Sequence, residues 1–424
     1  MAAAQIQLIL TGDELMRGDT IDSNSAMIAQ ALADVGIDVH LKTTVGDDRD
    51  GLGAVMRKAF AEADVVIING GLGPTQDDLT AEVMAGVCGV TLTSHPGAVA
   101  HVEAWCAKRG FEANESNLKQ AILPANCDLI DNPSGSAVGF AVTHNQCLVM
   151  ATPGVPSELR GMLAEVCDRA VARVGSTARD VLRLQTFGLG ESSIEELLRP
   201  HRDVWPSTVT LGFRAGMPQL ELKLSVSDAS ALGDRERCHE LLKTLFGDHI
   251  IGYANDSLAG VLQALLKAQS KRLTTAESCT GGLIASMITR EPGSSAVFEA
   301  GYVTYGNRAK RECLGVSEQD LSAYGAVSEP VARAMLMGAL TRSHADIGLA
   351  VTGIAGPDGG TIDKPVGTVW LAWGSPANVH TMKLVIPFDR QVFQSVVAAI
   401  GLDLVRRQLL DLPPLPQFAE RYRR

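Results

Sequence analysis

Residues 273–287, "LTTAESCTGGLIASM", place one serine where a nucleophile would stand. An apolar, β-prone run stops at Glu277, Ser278-Cys279-Thr280-Gly281-Gly282 make a turn, and a helical pattern follows. A serine on such a turn can attack a carbonyl if a base takes its proton. No histidine lies between His249 and His344, so the usual imidazole base is missing from this stretch. Lys310 is the candidate in its place. A lysine kept neutral by burial and nearby positive charge can accept the proton and later pass it to a leaving amine. Arg390, at a predicted helix start, would supply that charge or hold a substrate phosphate. Backbone N–H groups at Gly353 and at Gly281-Gly282 would face the oxyanion of an acyl-transfer intermediate. Plainer uses exist for each residue: Ser278 as a helix N-cap, Lys310 as a solvated helix residue, Thr352 as strand filler. The GxSxG and SxxK patterns of other serine hydrolases are absent.

A second constellation lies near the other end. "NGGLGPTQDDLTAE" (69–82) follows a buried strand and opens a helix. Gly70, Gly71 and Gly73 permit close backbone approach, and with Thr75 they would cradle a phosphate at the helix N-terminus. Asp77 and Asp78 are expected in the first helical turn, where the dipole favours carboxylates. The same pair could hold a divalent cation that bridges phosphate oxygens. "TGDELMRGDTIDSNS" (11–25) is another polar loop after a strand, and Glu14, Asp22 and Asn24 would face the same crevice as Asp77. The bland alternative is a capped turn in which the aspartates only match the dipole.

Elements that could position these groups are legible in the hydrophobic pattern. Strands at "IQLILT", "DVHLKTTV" and "DVVIING" alternate with helices at 23–32 and 49–63, which implies a parallel sheet covered on both faces. A hairpin is expected over "SAVGFAVTHNQCLVMAT", with Asn145 at its turn. Between about 175 and 250 the character changes. Leu220, Leu222, Leu224 and Val226 alternate with Glu221, Lys223 and Ser225 as in a half-exposed strand, and helices are expected at 192–199 and 229–246. Residues 252–257 read as a linker. From 258 the βα alternation restarts, with strands at 272–277, 297–305, 347–352, 367–373 and 379–386 and a helix at 390–410. The chain reads as three domains of α/β and α+β class, at 1–172, 173–251 and 258–424.

Composition narrows the class. A chain of 424 residues with 46% hydrophobic and 20% charged residues is globular and multidomain. No apolar run reaches the ~18–20 residues that span a bilayer, and "MAAAQIQLIL" lacks the basic start of a signal peptide. Eight cysteines scattered singly imply reduced thiols and a cytoplasmic location. A net charge of −11 argues against a nucleic-acid coat.

The motifs resemble those of the CinA family over nearly the whole chain. "TGDEL" and "GGLGPTQDD" look like loops of the molybdopterin-binding fold, a three-layer domain, and "NLKQAILP", "NPSGSAVGF" and "TPGVPSEL" follow in the family's order. This resemblance implies a metal-dependent ADP-ribose pyrophosphatase in the N-terminal domain, with Asp77 and Asp78 as candidate ligands. It also implies a small KH-like middle domain. No GXXG loop occurs in 174–250, so direct nucleic-acid binding is not expected there. "TTAESCTGG", "GSSAVFEAGYVTYGNRAK", "GAVSEPVA" and "VTGIAGPDGG" with "KPVGTVW" resemble the nicotinamide-nucleotide amidase (PncC) domain. The resemblance implies hydrolysis of nicotinamide mononucleotide by Ser278 and Lys310 without a metal. Tyr305, Asn307, Thr352, Gly353 and Arg390 would line the site, and the chain would form a homodimer. Phe388 stands where relatives often carry glycine, Gln394 near a second family arginine, and Asn69 where threonine is frequent. Two other functions fit the resemblance: a molybdopterin-binding N-terminal domain, and a non-catalytic interaction protein of competence or DNA damage.

Overall fold

The structure, a computed structural model, describes residues 4–176, 180–216, 218–413, 419 and 422–423. The chain divides into two compact units, Met1–Arg179 and Asp180–Arg424.

In the first unit the strands are β1 (Ile6–Thr11), β2 (Leu41–Val45), β3 (Val65–Asn69), β4 (Leu92–Ser94), β5 (Ile122–Pro124), β6 (Asp128–Ile130), β7 (Gly139–His144) and β8 (Cys147–Thr152). Six of them form a sheet in the order β2-β1-β3-β8-β7-β6, and β4 pairs with β5 separately. β2, β1, β3 and β8 are parallel, while β7 and β6 add an antiparallel edge. β1 and β3 are continuously apolar because both sheet faces are covered. Val66 and Ile68 pack with Leu52, Met56 and Phe60, whereas Val65 and Ile67 pack with Ile28, Leu32 and Met162. The chain leaves β1 towards β2 and returns to place β3 on its other side. That reversal opens a crevice at the carboxyl ends of β1 and β3.

The second unit contains two sheets. The smaller joins β9 (Asp180–Phe187), β10 (Thr210–Ala215), β11 (Gln219–Val226) and β12 (Ile250–Tyr253) in the order β10-β11-β9-β12, with helices at Glu191–Leu198 and Leu232–Phe246. Gly252 and Tyr253 therefore belong to a strand and not to the expected linker. Glu221, expected to be solvated, is only 8% exposed, because Arg183 and Gln185 on β9 both bond its carboxylate at 3.0 Å.

The larger sheet runs β14 (Phe298–Val303), β13 (Leu273–Glu277), β15 (Ile347–Gly353), β16 (Thr368–Ser375), β17 (Asn378–Val385). β14, β13 and β15 are parallel; β16 and β17 are antiparallel. β13 has β14 on one side and β15 on the other, so its carboxyl end is again a switch point. One face is covered by the helices Leu258–Ala268 and Arg390–Leu409, the other by the helix Glu329–Ser343.

Gly338 allows that last helix to lie against the carbonyl of Leu314, at the end of the short helix Asn307–Leu314 that carries Lys310. An added Cβ would overlap the carbonyl oxygen. Gly338→Ala is expected to destabilise the domain by about 1–3 kcal/mol through overpacking, read as a lowered urea midpoint.

Candidate active site

Ser278 follows the last residue of β13, and its N–H still bonds the Val351 carbonyl at 2.9 Å, so the strand ladder holds it. The chain then turns sharply. Gly281 N–H donates to Ser278 O at 3.1 Å, and Gly281 and Gly282 have φ of 63° and 97°, the left-handed region that glycine enters without strain. The helix Leu283–Thr289 begins directly afterwards.

Lys310 reaches this turn from the neighbouring element. β14 ends at Val303, and the helix Asn307–Leu314 projects Lys310 back under the loop with 1% exposure. Its Nζ lies 2.9 Å from Ser278 Oγ, 2.8 Å from Thr304 O and 3.1 Å from Tyr305 O. Ser278 itself is 7% exposed. Carbonyl oxygens only accept hydrogen bonds, so a neutral Lys310 gives its two N–H bonds to Thr304 and Tyr305. Its lone pair is then left for the Ser278 hydroxyl proton. Burial, which penalises the ammonium ion, brings the Lys310 pKa down from 10.5 to about 8. The positive charge of Arg390, expected to do this work, is not among the causes.

Arg390 instead closes the rim. Its Nη1 donates to Gly356 O at 2.9 Å and its Nη2 to the Tyr305 hydroxyl at 3.0 Å. Tyr305, in the loop after β14, and Asn307 and Arg390, at the starts of their helices, are exposed. Thr352 is 1% exposed, and its hydroxyl donates to Ala326 O at 2.8 Å, so it ties β15 to the loop before Ser328. Gly353 lies under the turn, where an added Cβ would come within 3.1 Å of Cys279 Sγ.

Two positioning groups were not expected. Glu277 is fully buried, and its carboxylate accepts N–H bonds from Gly282 (3.1 Å), Ile284 (3.0 Å) and Ala285 (2.8 Å). These bonds fasten the turn and the helix start to the end of β13. The Gly282 bond to Glu277, with Gly281 N–H donating to Ser278 O, also overturns the expected role of the Gly281-Gly282 N–H groups. Gln394 donates to Cys279 O at 2.7 Å and holds the same turn from the long C-terminal helix. A carboxylate closing a strand just before a Gly-containing turn is the available signal for Glu277. Gln394 had none.

In the N-terminal unit the loops after β1, β3 and β8 surround a cavity of about 510 Å³ lined by Gly12, Glu14, Gly70, Gly71, Gly73 and Asp77, with Asp47, Asp78 and Glu158 also on its wall. Gly70 and Gly71 have φ of 114° and 65°, and an added Cβ on Gly70 would stand 2.5 Å from Thr11 O. Asp77 and Asp78 precede the helix Thr80–Cys88 and do not form its first turn. Asp78 Oδ2 accepts from Thr75 N at 2.9 Å and from the Thr75 hydroxyl at 2.5 Å, so Thr75 shapes the loop. Asp22 is outside the crevice, accepting from Ser25 N at 2.9 Å and from the Ser25 hydroxyl at the start of the helix Asn24–Asp34. Asn24 is 8% exposed and bridges Asn69 Oδ1 (2.8 Å) to Gly154 O (2.6 Å), a brace behind the crevice wall. Asn69 completes it by donating to Pro153 O at 2.7 Å.

The crevice carboxylates offer only hard oxygen donors. That donor set suits a magnesium-like cation, which binds through one or two carboxylates and completes its shell with water and substrate phosphate. Asp77 and Asp78, with Glu14 on the same wall, would hold it. Among the described residues the one trio of ligand atoms close enough to chelate unaided is the surface group Glu236, His239 and Glu240 on the helix Leu232–Phe246.

Comparison with known proteins agrees with this architecture. Residues 255–409 match the "CinA C-terminal domain" family and residues 7–173 the "probable molybdopterin binding domain" family. A "CinA-like protein" of Colwellia psychrerythraea is 49% identical over 427 residues, covering 99% of each chain. One of Shewanella piezotolerans is 39% identical over 410 residues, covering 96% of each. The crystal structure of "competence/damage inducible protein CihA" of Agrobacterium tumefaciens is 42% identical over 36% of this chain and 93% of its own, with a TM-score of 0.35.

Proposed function

The chain belongs to the CinA family, and we propose that its C-terminal domain is a serine amidohydrolase that converts nicotinamide mononucleotide to nicotinate mononucleotide and ammonia. One observation carries the reading: Ser278 Oγ and Lys310 Nζ are 2.9 Å apart, both are buried, and both carbonyl partners of Lys310 leave its lone pair to the serine. Ser278 Oγ forms a bond to the carboxamide carbon as its proton moves to Lys310 Nζ. Lys310 passes that proton to the departing NH2 group, and the C–N bond breaks to give ammonia and an ester on Ser278. Lys310 then takes a proton from water, whose oxygen attacks the ester carbon, and returns it to Ser278 as nicotinate mononucleotide leaves. Tyr305 and Arg390 form a polar rim fitted to the ribose phosphate.

For the N-terminal domain we propose hydrolysis of ADP-ribose or a related nucleotide pyrophosphate. The support is an oxygen-lined crevice at a switch point. A bound divalent cation would neutralise pyrophosphate charge, while Gly70, Gly71 and Gly73 let the phosphates approach the backbone.

Both readings meet one assay. Purified protein is given nicotinamide mononucleotide and, separately, ADP-ribose, each with and without EDTA. The expected result is ammonia release that EDTA leaves unchanged and Ser278→Ala removes, and AMP release that EDTA abolishes and magnesium restores. No ammonia from wild type would reject the amidase, and chelator-resistant AMP release would reject the metal.

A further inference from the structure

We propose that the Thr280 hydroxyl, together with the N–H groups of Cys279 and Thr280, binds the oxyanion that forms when Ser278 attacks; this rests on the amidase reading of the site. As the Ser278 Oγ–carbon bond forms, the carbonyl π pair moves onto oxygen, and that oxygen needs donors already in place. Almost every backbone donor of the turn is occupied. Ser278 N bonds Val351 O, Gly281 N bonds Ser278 O, Leu283 N bonds Thr280 O and Ser286 N bonds Gly282 O. Gly282, Ile284 and Ala285 all donate to Glu277. Of the N–H groups from 278 to 286, those of Cys279 and Thr280 are the two that meet no oxygen acceptor among the described residues. Both N–H groups face the buried Cys279 thiol, which burial keeps neutral by raising its pKa to about 12, so their resting partner is a weak acceptor that an oxyanion would displace.

Orientation bears on the Thr280 N–H. Gln394 donates to the Cys279 carbonyl, and in a trans peptide the following N–H points the opposite way. The Thr280 N–H is thereby directed away from Gln394. Thr280 is 3% exposed, and its hydroxyl has no hydrogen-bond partner. Buried polar groups ordinarily find partners, and the exceptions call for an explanation. Here Cys279 and Thr280 are the two central residues of the turn that Ser278 opens. Thr275 supplies a contrast. Its hydroxyl is also buried and unpartnered, yet it lies beneath the helix Leu283–Thr289, where an added Cβ on Gly301 would be 3.1 Å from it and 2.9 Å from Ala285 Cβ.

The test uses full-length Thr280→Val, Thr280→Ser and Thr275→Val, with two readouts. Nicotinamide mononucleotide hydrolysis should fall roughly 100-fold in kcat for Thr280→Val with KM little changed. Thr280→Ser should restore most of it, and Thr275→Val should match wild type. Binding of pyridine-3-boronic acid, which adds to a serine oxygen and leaves a boronate oxygen in the oxyanion position, should weaken at least tenfold in Thr280→Val alone. Unchanged boronate affinity in Thr280→Val, or equal losses in Thr275→Val, overturns the proposal even where the amide is hydrolysed. If wild type binds boronate through Ser278 and Thr280 but releases no ammonia, the oxyanion assignment stands and the substrate reading falls. If wild type neither binds boronate nor releases ammonia, both fall.

Discussion

Lys310→Met should reduce ammonia release to background, a loss of about 10⁴-fold or more, while the protein remains folded and gains stability at neutral pH. The activity loss follows from removing the amine that lies 2.9 Å from Ser278 Oγ. The gain follows from burial. A fall in the Lys310 pKa from 10.5 to about 8 means that the folded protein carries a penalty of roughly 3 kcal/mol for holding the ammonium ion. Methionine fills similar volume without a charge and removes that penalty. Part of the gain is offset, because the Thr304 and Tyr305 carbonyls lose their donor. A net rise of about 1–2 kcal/mol in urea unfolding is expected. Hydrolysis by Lys310→Met near the wild-type rate would show that another group deprotonates Ser278.

The same shift sets a pH signature. The neutral amine is the active form, so kcat/KM should rise tenfold per pH unit below about 8 and level off above it. Stability follows with the opposite emphasis. Between about 8 and 10.5 the unfolded chain binds a proton at Lys310 that the folded chain does not, so wild-type stability rises with pH across that window. The advantage of Lys310→Met is therefore complete below pH 8 and lost by about 10.5. Measuring the difference between the two proteins cancels every other titrating group.

What the sequence revealed of this site depends on whether the governing interaction is local. Ser278, the glycines and the turn between strand and helix could be read directly, because left-handed backbone and helix starts have local residue preferences. The missing histidine called for another base and the family resemblance singled out Lys310, but the cause of its shifted pKa was not legible. Arg390 was expected to depress it, and burial does so instead, through contacts that hydrophobic periodicity does not reveal. Asp22 shows the reverse failure. Its spacing before Ser25 is that of a helix-start cap, a local signal available in the sequence, yet its loop's position at a strand end suggested a ligand. Asn24 and Thr352 are polar residues whose partners, Asn69, Gly154 and Ala326, lie far along the chain. Only the fold shows that they brace loops. The same holds for the oxyanion donors. Glycine content pointed to the Gly281-Gly282 N–H groups, but Ser278 O engages Gly281 and Glu277 engages Gly282, and the free donors sit two residues earlier.

Glu277→Gln should lower kcat about 10- to 100-fold and destabilise the C-terminal domain by about 2–4 kcal/mol. A fully buried carboxylate with three backbone N–H donors is a set of charge-assisted bonds, each stronger than its neutral counterpart. Glutamine preserves the shape but turns one acceptor oxygen into an NH2 group. In the wild type Oε2 serves Gly282 and Ile284 while Oε1 serves Ala285, so whichever oxygen is replaced, at least one N–H meets another donor. The helix Leu283–Thr289 must then move or turn at its first residues. Gly281 and Gly282 are left-handed and offer little resistance, so the displacement passes back along the turn to Ser278. A shift of this kind weakens alignment in the transition state more than substrate binding, because the rim residues Tyr305 and Arg390 belong to other elements. The fall should therefore appear in kcat with KM nearly constant. Glu277→Asp offers the complementary measurement: it keeps the charge but shortens the reach, and should retain more stability than Glu277→Gln while losing comparable rate. Equal kcat in Glu277→Gln and wild type would mean that the strand ladder at Val351 and the Gln394 bond alone suffice to hold the nucleophile.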